Sequence, residues 1–146
     1  MTQTRKKGEI TFFQVRSSSE KLKVLIEVGS KYFYNKQSIL FLTPSKAASL
    51  YLDELLWKRP LESFLPHGSY SPSSRELVQI GERLPVEGHG FKALFNLGSG
   101  AVLDSDIKTI FELEDLTTAE KAATFTPRYE AYAQSGYQII SSCNGS

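Results

Sequence analysis

Apolar positions change their spacing several times along the chain, and each change marks an element. From Glu9 to Val15, the residues Ile10, Phe12, Phe13 and Val15 crowd a short run with the density of a strand. Ser17-Ser18-Ser19-Glu20 then has the form of a capping box, with Ser17 as N-cap and Glu20 three residues on. The helix it opens carries Leu22, Leu25, Ile26, Gly29, Tyr32 and Phe33 on one stripe. A glycine there costs helix propensity, so Gly29 predicts close approach to a sheet. Ser38 to Leu42 is a short strand, continuously apolar from Ile39, the pattern of a strand covered on both faces, and Leu40 and Leu42 are expected to be buried. Thr43-Pro44 predicts a second helix start, Thr43 as N-cap and Pro44 at the first helical position. Ala48, Tyr51, Leu52 and Leu55 line that helix, and Pro60 ends it.

The second half is less regular. His67 to Ser74 is a loop rich in Gly, Ser and Pro. Leu77 to Ile80 and Phe91 to Leu97 are strand-like, separated by the turn region Pro85-Val86-Glu87-Gly88-His89-Gly90. Ile107 to Leu113 fits either strand or helix and is read as strand. Thr117-Thr118-Ala119-Glu120 repeats the capping-box pattern. Pro127 interrupts the helix that follows, with Thr126 placed to re-cap it, and Gly136 ends it before a last strand at Tyr137 to Ile140. Strands alternating with helices mean βαβ units. The expectation is a single α/β domain over residues 1–146, three-layer α/β/α with a Rossmann-like, mostly parallel central sheet. Residues 1–8 are expected to be a flexible N-terminus.

Composition narrows the class. A chain of 146 residues with 40% hydrophobic and 23% charged residues buries a core without metal or disulfides. A net charge of +1 provides no global field for nucleic acid. The aromatic Tyr129, Tyr132 and Tyr137 invite a reading as a single-strand DNA binder, but that needs a basic groove as well. Cys143 is the lone cysteine and forms no intrachain disulfide, which fits a reducing cytoplasm. The longest apolar run, Ile39 to Leu42, is far short of the ~20 residues of a membrane span. Arg5-Lys6-Lys7 is not followed by a signal-peptide core. A cytoplasmic location is expected.

An α/β sheet suggests nucleotide chemistry, and two glycine-containing strings resemble its fingerprints. Gly88-His89-Gly90-Phe91-Lys92-Ala93 matches G-x-G-x-x-A in form, but a Pro-Val-Glu turn precedes it and a strand-like run follows. A phosphate-binding turn needs a buried strand before it and a helix after it. Gly98-Ser99-Gly100 lacks the Lys-Ser/Thr end of a phosphate loop. The two histidines, His67 and His89, have no Cys or His at ligand spacing. His67 reads as a buried or boundary histidine holding a backbone carbonyl rather than as a base. Asp104-Ser105-Asp106 is an Asx-type turn, and the acidic run Glu112, Glu114, Asp115 is accounted for by the following helix dipole. No nucleophile and base can be paired. No enzyme activity, cofactor or metal is therefore expected, with an α/β nucleotide- or small-molecule-binding enzyme as the alternative.

Two strings carry more. The run Leu52 to His67, LDELLWKRPLESFLPH, ends an amphipathic helix in a Trp, two cations and a Pro, a mix from which binding hot spots are made. A single Trp in a small domain is also commonly core, and composition leaves the two readings of Trp57 even. The tail has Arg128-Tyr129-Glu130-Ala131-Tyr132 followed by Ser135-Gly136-Tyr137. Both strings resemble the signatures of the chi subunit of bacterial DNA polymerase III holoenzyme, an accessory protein of the clamp loader, and both fall where that family has them. The middle, about Gly68 to Leu116, matches in element order alone.

The resemblance implies a non-catalytic adaptor for DNA replication. Such an adaptor bridges the clamp loader, through a psi-like partner, to single-stranded-DNA-binding protein, and meets DNA indirectly. Chi proteins dock psi or helicase partners on the first string, which assigns that role to Trp57, Arg59, Pro60 and Phe64. They bind the acidic, Phe-terminated tail of single-stranded-DNA-binding protein on the last helix, which assigns Lys121, Arg128, Tyr129 and Tyr132. This chain departs from the family where basic positions fall on Ala122, Thr126 and Glu130, leaving Lys121 and Arg128 as its cations there.

Overall fold

The computed structural model describes residues 7–57, 65–86 and 88–143. Among the described residues, seven strands form one sheet: β1 (Glu9–Val15), β2 (Ile39–Leu42), β3 (Gly68–Ser69), β4 (Val78–Gly81), β5 (Ala93–Asn96), β6 (Thr109–Asp115) and β7 (Gln138–Cys143). Their order is β3-β4-β2-β5-β6-β1-β7, and every neighbouring pair is parallel. The helices are α1 (Ser18–Tyr34), α2 (Lys46–Trp57), α3 (Ala119–Ala123) and α4 (Phe125–Gln134). The α/β class and the parallel sheet are as the alternation of patterns predicts.

Alternation along the strands sorts the core into two faces. Ile39 and Phe41 of β2 join Phe95, Val78, Ile80 and Val15 under α1 and α2. Leu40 points the other way, into a cluster with Leu94. The β1–α1–β2 and β2–α2–β3 crossovers both carry the chain toward the β3 edge and lay their helices on the first face. The β6–α3–α4–β7 crossover runs in the opposite direction and lays α4 on the second face, over Ile10, Phe12 and Ile110. Reversing both direction and face preserves one crossover hand. Over β2 and β5 the second face is covered by Phe91, Val102 and Ile107 from loops, so the third layer is helix at one end and loop at the other.

Ser17 caps α1, its hydroxyl accepting from Glu20 N–H at 3.1 Å, while Glu20 Oε1 reaches back to Arg16 N–H at 2.6 Å. Gly29 is a close approach, as expected: a Cβ there would lie 2.6 Å from Leu65 Cδ2 and 3.4 Å from Phe41 Cζ of β2. Other expectations need correction. Thr43 still belongs to the sheet end, its N–H donating to Gly81 O at 2.9 Å, so the chain turns later and Ser45 caps α2 by accepting from Ala48 N–H. The inward stripe of α2 is Ser49, Leu52 and Leu56; Tyr51 is exposed. Thr117 spends its N–H and hydroxyl on Asp115, and Thr118 takes over the capping of α3. The break before Pro127 falls at Thr124 rather than Thr126, and Pro127 sits in the first turn of α4, where a missing N–H is tolerated. Leu42 is half-buried, while Leu40 is fully buried. Gly68 and Ser69 add a short edge strand inside the expected loop. Lys7 and Gly8 are anchored, Lys7 N–H donating to Gly136 O at 2.9 Å and Gly8 O accepting from Gln138 N–H at 2.9 Å.

Candidate functional site

Trp57, the last residue of α2, is 53% exposed and therefore not core. Its indole is nevertheless held. Trp57 Nε1 donates to Asp53 Oδ1 at 3.1 Å, one helical turn back, and the same oxygen lies 2.9 Å from His67 Nε2. His67 Nδ1 donates to Leu65 O at 2.7 Å, and the Trp57 and His67 rings lie 4.6 Å apart. His67 is buried, in the role read for it from the sequence. The indole thus has its polar edge satisfied and presents an apolar surface in a fixed orientation, which lowers the entropy cost of docking. Leu50, one heptad earlier on the same side of α2, is also exposed, as is Tyr51. Arg59, Pro60 and Phe64 lie outside the described residues.

The four residues assigned to the tail surface separate. Arg128 and Tyr132, four apart on one face of α4, turn inward and are 5% and 0% exposed. Both bind the carboxylate of Glu112, a β6 residue with no exposure. Arg128 also donates to Leu113 O at 3.2 Å and Thr124 O at 3.1 Å. The Tyr132 hydroxyl accepts from Val102 N–H at 2.8 Å. Asn96 of β5 completes the group, donating to Glu112 at 2.7 Å and to Gly100 O at 2.8 Å. Burial pushes the Glu112 carboxyl above the usual carboxylate range, against hydrogen bonds from Tyr132 and Asn96 and the Arg128 charge. The Tyr132 phenol is pushed up by burial and by the Glu112 charge beside it.

Arg128 and Tyr132 thus turn inward rather than toward the tail surface the resemblance assigns them to, and Glu112 answers to them rather than to a helix dipole. Lys121 and Tyr129 are exposed. Tyr129 packs one side on Phe12 and Phe125. A signal for the network was present in the sequence: an acid two residues from Ile110 on a strand, and an Arg and a Tyr at helical i, i+4 spacing.

Between these regions, a cleft of about 470 Å³ opens at the carboxyl ends of β2, β5 and β6, with Leu25, Leu52, Leu97, Asp115, Lys121 and Arg128 among its walls. Lys21 Nζ pairs with Asp115 Oδ2 at 2.6 Å across it. Burial raises the Asp115 carboxyl, but the hydrogen bonds from Lys21 and Thr117 outweigh it and hold the group below the usual carboxylate range. Gly98 and Ser99 of the Gly98-Ser99-Gly100 turn border this cleft, with Gly98 N–H already donating to Asn96 Oδ1 at 3.0 Å. Gly88 and Gly90, both at positive φ, form a turn before β5, with no helix following. No metal-binding group of His, Cys, Asp or Glu occurs among the described residues.

Trp57 comes from the first of the two distinctive strings and the Arg128–Tyr132 pair from the second. The family model of the DNA polymerase III chi subunit, HolC, matches residues 8–140 of the 146. The chain belongs to the chi family. The match runs through the middle of the chain as well as both strings, and chi is a non-catalytic accessory subunit of DNA polymerase III. None of the curated proteins matches the chain. No helix among the described residues is long and apolar enough to cross a membrane.

Proposed function

We propose that this chi-family chain tethers the clamp loader of DNA polymerase III to single-stranded-DNA-binding protein during replication in the cytoplasm. The end of α2 docks a psi-like clamp-loader partner, with Trp57 as the anchor, and the family resemblance assigns Arg59, Pro60 and Phe64 to the same partner. The observation that carries this reading is Trp57 itself: a half-exposed indole, pinned through Asp53 and His67, with an exposed Leu50 two turns back on the same side of α2. Aromatic anchors of this kind dominate binding energy at interfaces.

The α3–α4 side takes the acidic tail of single-stranded-DNA-binding protein. Lys121 supplies charge and Tyr129 an aromatic wall there. Arg128 and Tyr132 act as positioning residues that hold α4 on the sheet. DNA is met through these proteins, in keeping with a net charge of +1. Two modest contacts on one small body gain from effective concentration once either is made.

Immobilised chain and its Trp57→Ala variant, each exposed to cytosol of the source organism, test the docking surface. Clamp-loader subunits are retained by the parent and lost with the variant, a cost of about 2 kcal/mol or more. The melting temperature stays close to the parent's. Undiminished capture by Trp57→Ala refutes the assignment.

A further inference from the structure

The cleft at the carboxyl ends of β2, β5 and β6 takes no part in docking through Trp57, yet its position and walls are those of a ligand site. The chain leaves β2 toward the β3 edge and leaves β5 toward β6, in opposite directions across the sheet. The crevice between two such strand ends is where open parallel sheets hold ligands. Both diverging loops line it, Pro44 after β2 and Ser99 after β5, and a volume of about 470 Å³ suits a small molecule.

The walls decide the ligand's chemistry. Leu25, Leu52 and Leu113 are buried and Leu55 and Leu97 half-buried around the cavity. The polar groups beneath them are already committed: Arg128 and Asn96 to Glu112, and Thr43 to Ser49 at 2.6 Å. A ligand finds no unpaired polar partner at depth, so its inserted part is hydrocarbon or aryl. The charges are equally selective. Lys21 is neutralised by Asp115 and Arg128 by Glu112, whereas Lys121, exposed at the rim, makes no ion pair among the described residues. One uncompensated cation over an apolar pocket matches one anionic group. A nucleotide brings more charge, faces the Asp115 carboxylate, and finds Gly98 N–H already taken.

We infer that this cleft binds a small apolar monocarboxylate, with its body among Leu25, Leu52 and Leu55 and its carboxylate on Lys121. The test is titration of the isotope-labelled full chain with octanoate, octanamide and AMP, followed by amide chemical shifts. Octanoate shifts the amides of Leu25, Leu52, Leu97 and Gly98 saturably. Octanamide, lacking the charge, binds about tenfold more weakly, and AMP leaves these amides unmoved. Lys121→Ala, a change at an exposed side chain, lowers octanoate to the affinity of octanamide. Leu55→Trp fills the cavity and abolishes both, with its folding verified by the dispersion of its own spectrum. The inference is overturned by equal affinity for octanoate and octanamide, by octanoate binding that ignores Lys121→Ala, by octanoate shifts that do not saturate or lie elsewhere, or by saturation of the same amides with AMP.

Discussion

Replacing Arg128 with Met tests whether the family's Arg-Tyr string is a structural lock or a contact surface. The guanidinium is 5% exposed and serves Glu112, Leu113 O and Thr124 O. Met fills similar space but leaves the Glu112 carboxylate buried with Tyr132 and Asn96 as its remaining partners. Removing one partner of a buried ion pair costs about 3–5 kcal/mol. For a domain of this size, that corresponds to a fall in Tm of roughly 10–15 °C. Burial already holds the Glu112 carboxyl above its ordinary range. The folded state therefore binds this proton more tightly than the unfolded chain does. The stability that this group contributes is lost as pH rises from the unfolded value through the raised folded one. Without the Arg128 charge the folded value climbs further, so the deficit of the variant grows from pH 5 to pH 8. Urea denaturation at those two pH values measures it. Adding Glu112→Gln to Arg128→Met removes the orphaned charge and recovers part of the loss. If Arg128→Met melts with the parent at pH 8 while tail-peptide binding disappears, Arg128 is a contact residue and the structural reasoning is refuted.

Three further outcomes follow from the same geometry. Asp53→Ala unpins Trp57 and weakens capture of the clamp-loader partner by about tenfold, a loss of order 1.4 kcal/mol; indole fluorescence anisotropy falls with it, and unchanged anisotropy with lost binding contradicts the pinning argument. Lys21→Met removes the hydrogen bond that holds Asp115 low, a stabilisation present above the unfolded pKa of the carboxylate and lost as pH falls through the folded one; the variant's stability is thus flatter than the parent's on the acid side of pH 4, as acid titration of circular dichroism measures. Gly29→Val drives a side chain into Leu65 and Phe41 and costs about 1–3 kcal/mol in urea denaturation.

The strands and the first helix were legible in the sequence because their signals are local. The apolar run of β2 and the Ser17-Glu20 box each say what they are within a few residues. The caps that shifted did so because another partner claimed the hydroxyl first, across the sheet end for Thr43 and two residues back for Thr117. Thr43 is drawn to Ser49 and Gly81 at the sheet end, and Thr117 to Asp115, so the next residues became the effective starts. Tyr51 was assigned inward by helical spacing, yet the helix is rotated so that Ser49 and Leu56 face the sheet.

The candidate site divides in the same way. Trp57 and its neighbours were visible as a string, but nothing local shows that Asp53 and His67 hold the indole. Arg128 and Tyr132 read as surface groups because Glu112, their partner, lies 16 and 20 residues away on a strand. The pairing becomes readable only once an acid inside an apolar strand is treated as a demand for a cation.

The central claim is the tether, and a bridging measurement tests it directly. Single-stranded DNA on beads is coated with the source organism's single-stranded-DNA-binding protein and washed with its clamp loader freed of this chain. Retention of the clamp loader requires added chain and falls about thirtyfold or more with Trp57→Ala, the equivalent of 2 kcal/mol. Retention that is independent of the chain, or equal for parent and Trp57→Ala, contradicts the account.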